Sequence, residues 1–127
     1  MALFYAHSGL RYLVLLAGVV TVAYHLIAWA RSSPFSGRSR LPVTVFVGLL
    51  DLQIVLGIVL LITRPFLPAV IGHLTMMLMA AAFAHGASIA NKRKPEAERR
   101  HTIALSGTLL ALVFVIGGIL ALGRAIV

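Results

Sequence analysis

The chain contains no cysteine and few charged residues: its 127 residues include three Asp+Glu, and charged residues make up 11%. Without cysteine there is no disulfide, thiolate metal site, thiol nucleophile or thioether-linked haem. A soluble domain has about 25% charged and about 45–50% apolar residues, whereas 61% of this chain is apolar. This balance excludes both a water-soluble fold and intrinsic disorder. The sequence therefore predicts an integral membrane protein.

Apolar stretches long enough to cross a bilayer divide the chain into four parts. They cover about residues 8–30, 43–63, 67–90 and 102–124, and a helix of about 20 residues crosses the hydrocarbon core. The separators are short and carry Pro, Gly and basic residues, which favours antiparallel neighbours. We therefore expect one all-α domain over residues 1–127, an up-down bundle of four transmembrane helices in contact with lipid.

Basic residues are concentrated on one side of this expected bundle. The first and third connections hold Arg31, Arg38, Arg40, Lys92, Arg93, Lys94, Arg99 and Arg100, and the other side holds Arg11, Arg64 and Arg124. By the positive-inside rule, the first and third connections face the cytoplasm and both termini face outside. Topology thus explains the basic excess, and no nucleic-acid partner is expected. His101, in the third connection, is expected to be solvated.

Two histidines are expected at the same depth. His25 lies near the end of the first span and His85 near the end of the third, and these spans run in the same direction. Both imidazoles would lie roughly 7–8 Å below the cytoplasmic boundary. A haem b needs imidazole ligands and an apolar slot but no covalent link. The sequence predicts one haem b between the two, or else histidines that only hydrogen-bond the backbone. The residues expected around the ring and its propionates are Gly18, Ala81, Arg31 and Lys92.

A second polar group is expected towards the outer face. Arg11 and His73 lie there, roughly 25–29 Å from the cytoplasmic boundary, and His7 lies beyond them. His73 and His7 are the second choice as metal ligands. A copper site is a less favoured alternative, because His73 and Met77 share a helical face and imidazole with thioether suits Cu(I).

The second span carries two polar residues near the midplane. Asp51 is the only acidic residue inside a span, and Gln53 follows on a different face. A bare carboxylate there is costly. Asp51 is therefore expected to be protonated, to pair with a His or Arg, to relay protons or to bridge helices. Motifs typical of hydrolases and phosphate-binding loops do not occur.

Short motifs in three spans resemble a known group of proteins. The motifs are His7-Ser8-Gly9-Leu10-Arg11-Tyr12, Leu52-Gln53 with Leu56-Gly57, and His73 with Met76-Met77. They are similar to the small bacterial four-span membrane proteins labelled cytochrome b-like. The histidines of the first and third spans also resemble, more loosely, the membrane-bound haem-binding protoporphyrinogen oxidase family. The resemblance implies haem b, one-electron transfer and a multi-pass protein of the bacterial inner membrane.

Two functions are compatible with these residues. The first is a cytochrome b-like electron carrier, an oxidoreductase if it is an enzyme, whose partner is another membrane redox protein or a quinone approaching the side of His73 and Arg11. The alternative is a non-catalytic small subunit or scaffold of a larger membrane complex, because the chain is short and has no complete catalytic constellation. A homo-oligomer is compatible with either function.

Overall fold

Long helices make up most of residues 1–124, the part of the chain that the computed structural model describes. They are α1 (Ala2–Ala30), α2 (Leu41–Thr63), α3 (Ala69–Arg93) and α4 (His101–Ala121), and residues 1–124 contain no β-strand. Each helix is long and apolar enough to cross a membrane. The expected all-helical fold with four apolar helices is confirmed. The expected domain runs to residue 127, and its last three residues lie outside the described part.

Proline and glycine mark most of the helix ends. Pro42 lies in the first turn of α2, where its missing N–H and fixed φ are tolerated. Pro65 follows the last residues of α2, and Lys94 before Pro95 has an extended backbone that ends α3. α1 and α3 both run beyond the apolar stretches from which they were predicted. The added turns contain polar residues such as His7 and Lys92. A polar side chain does not end a helix, because the helix is held by hydrogen bonds within its own backbone.

The helices follow one another around the bundle, so that α1 contacts α2 and α4, and α3 contacts α4 and α2. The closest seam lies between α3 and α4, where a row of buried small residues lets the backbones approach. A side chain on Gly107 would collide with Ala87, and one on Gly118 would collide with Met77. The core between the helices is apolar, with Phe46 and Leu50 fully buried.

The antiparallel order gives the bundle two different ends. The terminal end carries residue 1, the connection 64–68 and residues 121–124, and the loop end carries the connections 31–40 and 94–100. Short 3-10 turns at Gly37–Arg40 and Glu96–Glu98 lie in the two loop-end connections. The outward helix faces between the ends are rich in exposed Leu, Val and Ile. Such a surface is compatible with lipid.

Candidate functional site

All five histidines have a polar contact with another side chain or with a carbonyl, and these contacts form three groups at different heights. The terminal cluster lies near the terminal end, the middle pair lies halfway along α2 and α3, and the loop pair lies at the loop end. Their members are His7, Arg11, Gln53 and His73 in the terminal cluster, Asp51 and His85 in the middle pair, and His25 and His101 in the loop pair.

The loop pair joins α1 to the start of α4. The Nδ1 atoms of His25 and His101 are 2.8 Å apart, so one ring donates its N–H to the lone pair of the other. Phe35 stacks on His25 with the ring planes 15° apart. His25 is fully buried and His101 is 5% exposed. The expectation that His101 is solvated is therefore wrong, because its side chain turns inward to satisfy a buried imidazole.

The middle pair links α2 to α3 on the outer surface of the bundle. The His85 Nε2–H donates to Asp51 Oδ1 over 2.7 Å. The side chains remain 45% exposed for His85 and 46% exposed for Asp51. Of the roles expected for Asp51, the structure supports pairing with a histidine and bridging between helices.

The structure does not bring His25 and His85 together. His25 faces α4 from the interior, whereas His85 contacts α2 from a half-exposed position. The sequence predicted equal depth, but His85 lies halfway along α3 with Asp51, whereas His25 lies at the loop end with His101. Depth also does not fix the rotation of a side chain about its helix axis, and the two histidines face different helices. The residues expected around a porphyrin are dispersed as well. The space above Gly18 is filled by Leu112, Ala81 is half-buried, and Arg31 and Lys92 are exposed. A haem b between these two histidines does not fit this packing.

The terminal cluster draws its side chains from three helices and a carbonyl from the fourth. The Gln53 amide donates to the His7 carbonyl oxygen over 2.8 Å, and its nitrogen lies 3.5 Å from His7 Nε2. The His73 Nδ1–H donates to the Gly118 carbonyl oxygen over 2.9 Å. Because a carbonyl oxygen only accepts, the proton of neutral His73 lies on Nδ1 and a lone pair remains on Nε2. The ring centroids of His7 and His73 are 6.3 Å apart, with the planes nearly perpendicular at 82°.

A cavity of about 100 Å³ lies among these side chains, and its wall also includes Met77, Val115, Ile119 and Arg124. His7 Nδ1, Arg11 Nε and Gln53 Oε1 are buried here without a hydrogen-bond partner in the described part of the chain. Buried polar atoms are normally paired with protein, water or a ligand. The cavity is large enough for a metal ion or several water molecules, and smaller than the roughly 300 Å³ and more of a typical organic ligand pocket.

Protein-family models, curated proteins and solved structures give no match to this chain. The donor atoms themselves define what the terminal cluster can bind. Within residues 1–124 no three His, Asp or Glu side chains come together as a metal site. An ion bound at this cluster would thus have two imidazole ligands and would need Met77, water or a cofactor to complete its coordination.

Three of the short sequence motifs converge on the terminal cluster. His7, Gln53 and His73 come from three separate motifs and surround one cavity. A side chain on Gly57 would lie 3.1 Å from His7 Cε1, so glycine leaves room for that imidazole. The sequence favoured His25 and His85 as metal ligands, with His7 and His73 as the second choice. The sequence pattern that favours His7 and His73 is that motifs far apart in the chain lie at the same end of the bundle.

Proposed function

We propose that this chain is a multi-pass membrane protein that transfers electrons through a redox metal centre held by His7 and His73. The observation that carries the proposal is a pair of imidazoles from different helices beside a cavity, with a lone pair on His73 Nε2 and an unpartnered His7 Nδ1. A metal–imidazole bond is about 2.0–2.1 Å long. Two such bonds and the two ring radii span about the 6.3 Å that separates the ring centroids.

The proposed orientation follows from the basic residues. The loop end carries Arg31, Arg38, Arg40 and the basic residues of the connection 94–100. This end would therefore face the cytoplasm, and the terminal end would face the outside of a bacterial inner membrane. The redox centre would then lie close to the outer surface. There it is accessible to a second membrane redox protein, or to a quinone on the side of His73 and Arg11.

Haem b is the centre that the family resemblance implies. The donor chemistry of the terminal cluster fits it: His7 and His73 would hold the iron, and Arg11 and Arg124 beside the cavity would pair with the propionates. Bound haem supplies one-electron chemistry at its iron. The Gly118 carbonyl orients the His73 imidazole, and Gln53 holds the backbone that carries His7. A cavity of about 100 Å³ does not hold a porphyrin, so haem binding requires α1 and α3 to separate at this end.

A copper ion is the second candidate for the same site. The cavity volume of about 100 Å³ suits an ion without any rearrangement, and Met77 in its wall adds a thioether to the two imidazoles. This combination of ligands favours Cu(I). The ligands would then be His7, His73 and Met77.

An absorption spectrum combined with metal analysis of the detergent-extracted protein tests both forms. We expect iron with a Soret band, or copper without one, in the wild-type protein, and loss of the signal in His7→Ala and in His73→Ala. His85→Ala is the matched control, because this imidazole lies outside the terminal cluster and is half-exposed.

Two results would contradict the redox proposal. One is a folded wild-type protein that stays colourless and metal-free after addition of haem and of copper, and this result would favour the scaffold alternative. The other is a signal that survives in His7→Ala and His73→Ala but disappears in His85→Ala.

A further inference from the structure

The loop end of the bundle contains a cleft that lies outside the terminal cluster and the middle pair. This loop-end cleft has a volume of about 630 Å³, and its wall is drawn from residues 28–35 and 96–102. Pockets that hold organic ligands have volumes of roughly 300–1,000 Å³, whereas the cavity of the terminal cluster measures about 100 Å³. The loop-end cleft is therefore large enough for a ligand much bigger than a metal ion.

The first turn of α4 forms part of this wall and has no cap. Backbone N–H groups in the first turn of a helix have no partner within the helix, and with the helix dipole they attract anions. Arg100, the N-cap, makes no capping hydrogen bond with its side chain, and no acidic residue lies in the first turn. His101 and Thr102 begin the helix, and both belong to the wall. The cleft is thus bordered by N–H donors to which no side chain within residues 1–124 offers a cap.

The charges of the wall also favour an anion. Of the wall residues that the structure describes, only Glu96 is acidic, and its carboxylate lies 3.3 Å from the guanidinium of Arg99. The side chain of Arg99 is 11% exposed and also donates to the Lys94 carbonyl oxygen. Arg100 is exposed and has no ion-pair partner within residues 1–124. The acidic charge of the wall is therefore already compensated, and the positive charge of Arg100 is left for a ligand.

A buried imidazole nitrogen beside the cleft has no partner. His101 is 5% exposed, and its Nε2 has no hydrogen-bond partner in the described part of the chain. The two nitrogens of an imidazole point in nearly opposite directions. Since Nδ1 is directed at His25, the Nε2 is directed to the other side of the ring, where His101 borders the cleft. When His25 donates through its Nδ1–H, neutral His101 carries its proton on Nε2 and has a buried donor that needs an acceptor.

We propose that the loop-end cleft binds a phosphate group. Its oxygens accept hydrogen bonds from the first turn of α4 and from the Nε2–H of His101, and its negative charge pairs with Arg100. Trp29 lies in the same wall and is 56% exposed, as is typical of aromatic residues at the level of lipid headgroups. The phosphate is carried by the headgroup of an anionic lipid or by a soluble molecule. Neither source requires the redox centre.

The fluorescence of Trp29, the only tryptophan of the chain, tests the proposal at the cleft itself. The protein in an uncharged detergent is titrated with inorganic phosphate in one arm and with dioctanoyl phosphatidylglycerol in the other. Sodium chloride of equal ionic strength and dioctanoylglycerol, which has the same chains without a phosphate, are the reference titrants. Calorimetry of the same titrations detects binding that leaves the fluorescence unchanged. We expect saturable binding of at least one phosphate probe. Binding of the lipid alone identifies a headgroup site, and binding of inorganic phosphate identifies a site open to soluble phosphates.

Substitutions in the wall show whether the binding is specific to the cleft. Arg100→Gln should weaken the binding about tenfold. Arg38→Gln is the matched control and should leave it unchanged, because Arg38 is an exposed arginine at the same end but outside the wall. Thr102→Glu places a carboxylate in the first turn of α4, where it stabilises the helix but repels a phosphate. It should abolish binding in a protein that remains folded.

Three results would overturn the proposal. One is the absence of saturable binding of both phosphate probes by the wild-type protein. Another is equal binding by the wild-type, Arg100→Gln and Thr102→Glu proteins. The last is equal weakening by Arg100→Gln and Arg38→Gln, which would assign the binding to the general positive charge of the loop end.

Discussion

Two pairs of histidines, one at each end of the bundle, use the same residue type for different purposes. In the loop pair, the Nδ1 atoms of His25 and His101 are in direct contact at 2.8 Å, and the ring centroids are 5.1 Å apart. In the terminal cluster, the centroids of His7 and His73 are 6.3 Å apart and a cavity adjoins both rings. Both pairs join residues that are distant in sequence, so what distinguishes them is the space between the rings.

This difference separates a structural contact from a binding site. An ion between two imidazoles needs about 2.0–2.1 Å to each nitrogen, and nitrogens already within hydrogen-bond distance leave no such space. The loop pair therefore links α1 to α4, with Phe35 covering the rings. In the terminal cluster the His73 imidazole donates to the Gly118 carbonyl oxygen, Gln53 bonds the backbone carbonyl of His7, and a cavity adjoins both rings.

The largest effect that tests this comparison concerns stability. His25→Ala or His101→Ala removes a buried ring and leaves the other Nδ1 without its partner. We expect either change to lower the free energy of unfolding by about 2–5 kcal/mol. His73→Ala should cost only about 0.5–1.5 kcal/mol, because its ring adjoins a cavity and its one hydrogen bond is to a helical carbonyl. Denaturant unfolding in detergent measures both.

The metal content of the same variants provides the control. His25→Ala and His101→Ala should retain the metal or haem of the wild-type protein wherever they remain folded, whereas His73→Ala should lose it. If a folded His101→Ala protein lost its bound metal and His73→Ala kept it, the roles assigned to the two ends would be reversed.

The sequence predicted the helices better than their rotation. The composition and the apolar stretches predicted four helices, and the prolines at positions 42, 65 and 95 marked both ends of α2 and the end of α3. Depth along the chain also placed His7 and His73 at one end. Which side of each helix faces inward depends on packing between helices. α3 is apolar and small-residue-rich on several sides, so the sequence could not show that His85 turns towards Asp51.

The pairing of His101 with His25 illustrates a second feature that the sequence alone does not predict. His101 follows the basic residues Arg99 and Arg100 and so has the sequence environment of a solvated loop. In the structure it is the first residue of α4, and its ring packs against both His25 and Phe35. A buried imidazole such as His25 requires a partner. That requirement can be stated from the sequence, but the identity of the partner follows only from how α1 and α4 meet.

A smaller effect distinguishes the two halves of the α3–α4 seam. Gly107→Ala places a methyl group against Ala87 and 3.2 Å from the Phe83 carbonyl oxygen, so the helices must move apart. We expect it to cost about 1–3 kcal/mol of stability with metal affinity unchanged. Gly118→Ala places the methyl group against Met77 and 3.3 Å from His73 Nδ1. It should cost a similar amount and also weaken metal binding, because the ring of His73 must shift.

The control for both glycine substitutions is Gly86→Ala on α3, where an added methyl group meets no atom within 4 Å. Alanine in that exposed helical position should raise stability by up to about 1 kcal/mol. Unfolding measurements and metal titrations on the three variants check the set. Equal metal affinities for Gly107→Ala and Gly118→Ala would show that His73 does not need its present position for binding.

The smallest effect on stability is expected at Gln53, which positions a ligand and need not touch the metal. Gln53→Met keeps the length of the side chain but loses the hydrogen bond to the His7 carbonyl oxygen. The change should cost about 0.5–1.5 kcal/mol or less, because it also removes a buried amide oxygen that has no partner within residues 1–124. Metal affinity, measured by titration, should fall, because the α1 backbone that carries the His7 ring loses its hydrogen bond to α2. In Gln53→Glu a carboxylate, which only accepts hydrogen bonds, faces the His7 carbonyl oxygen, which also only accepts. The Gln53→Glu protein should therefore bind metal no better than the Gln53→Met protein. Unchanged affinity in both variants would mean that His7 is held in place without Gln53, and that packing against Gly57 alone positions its ring.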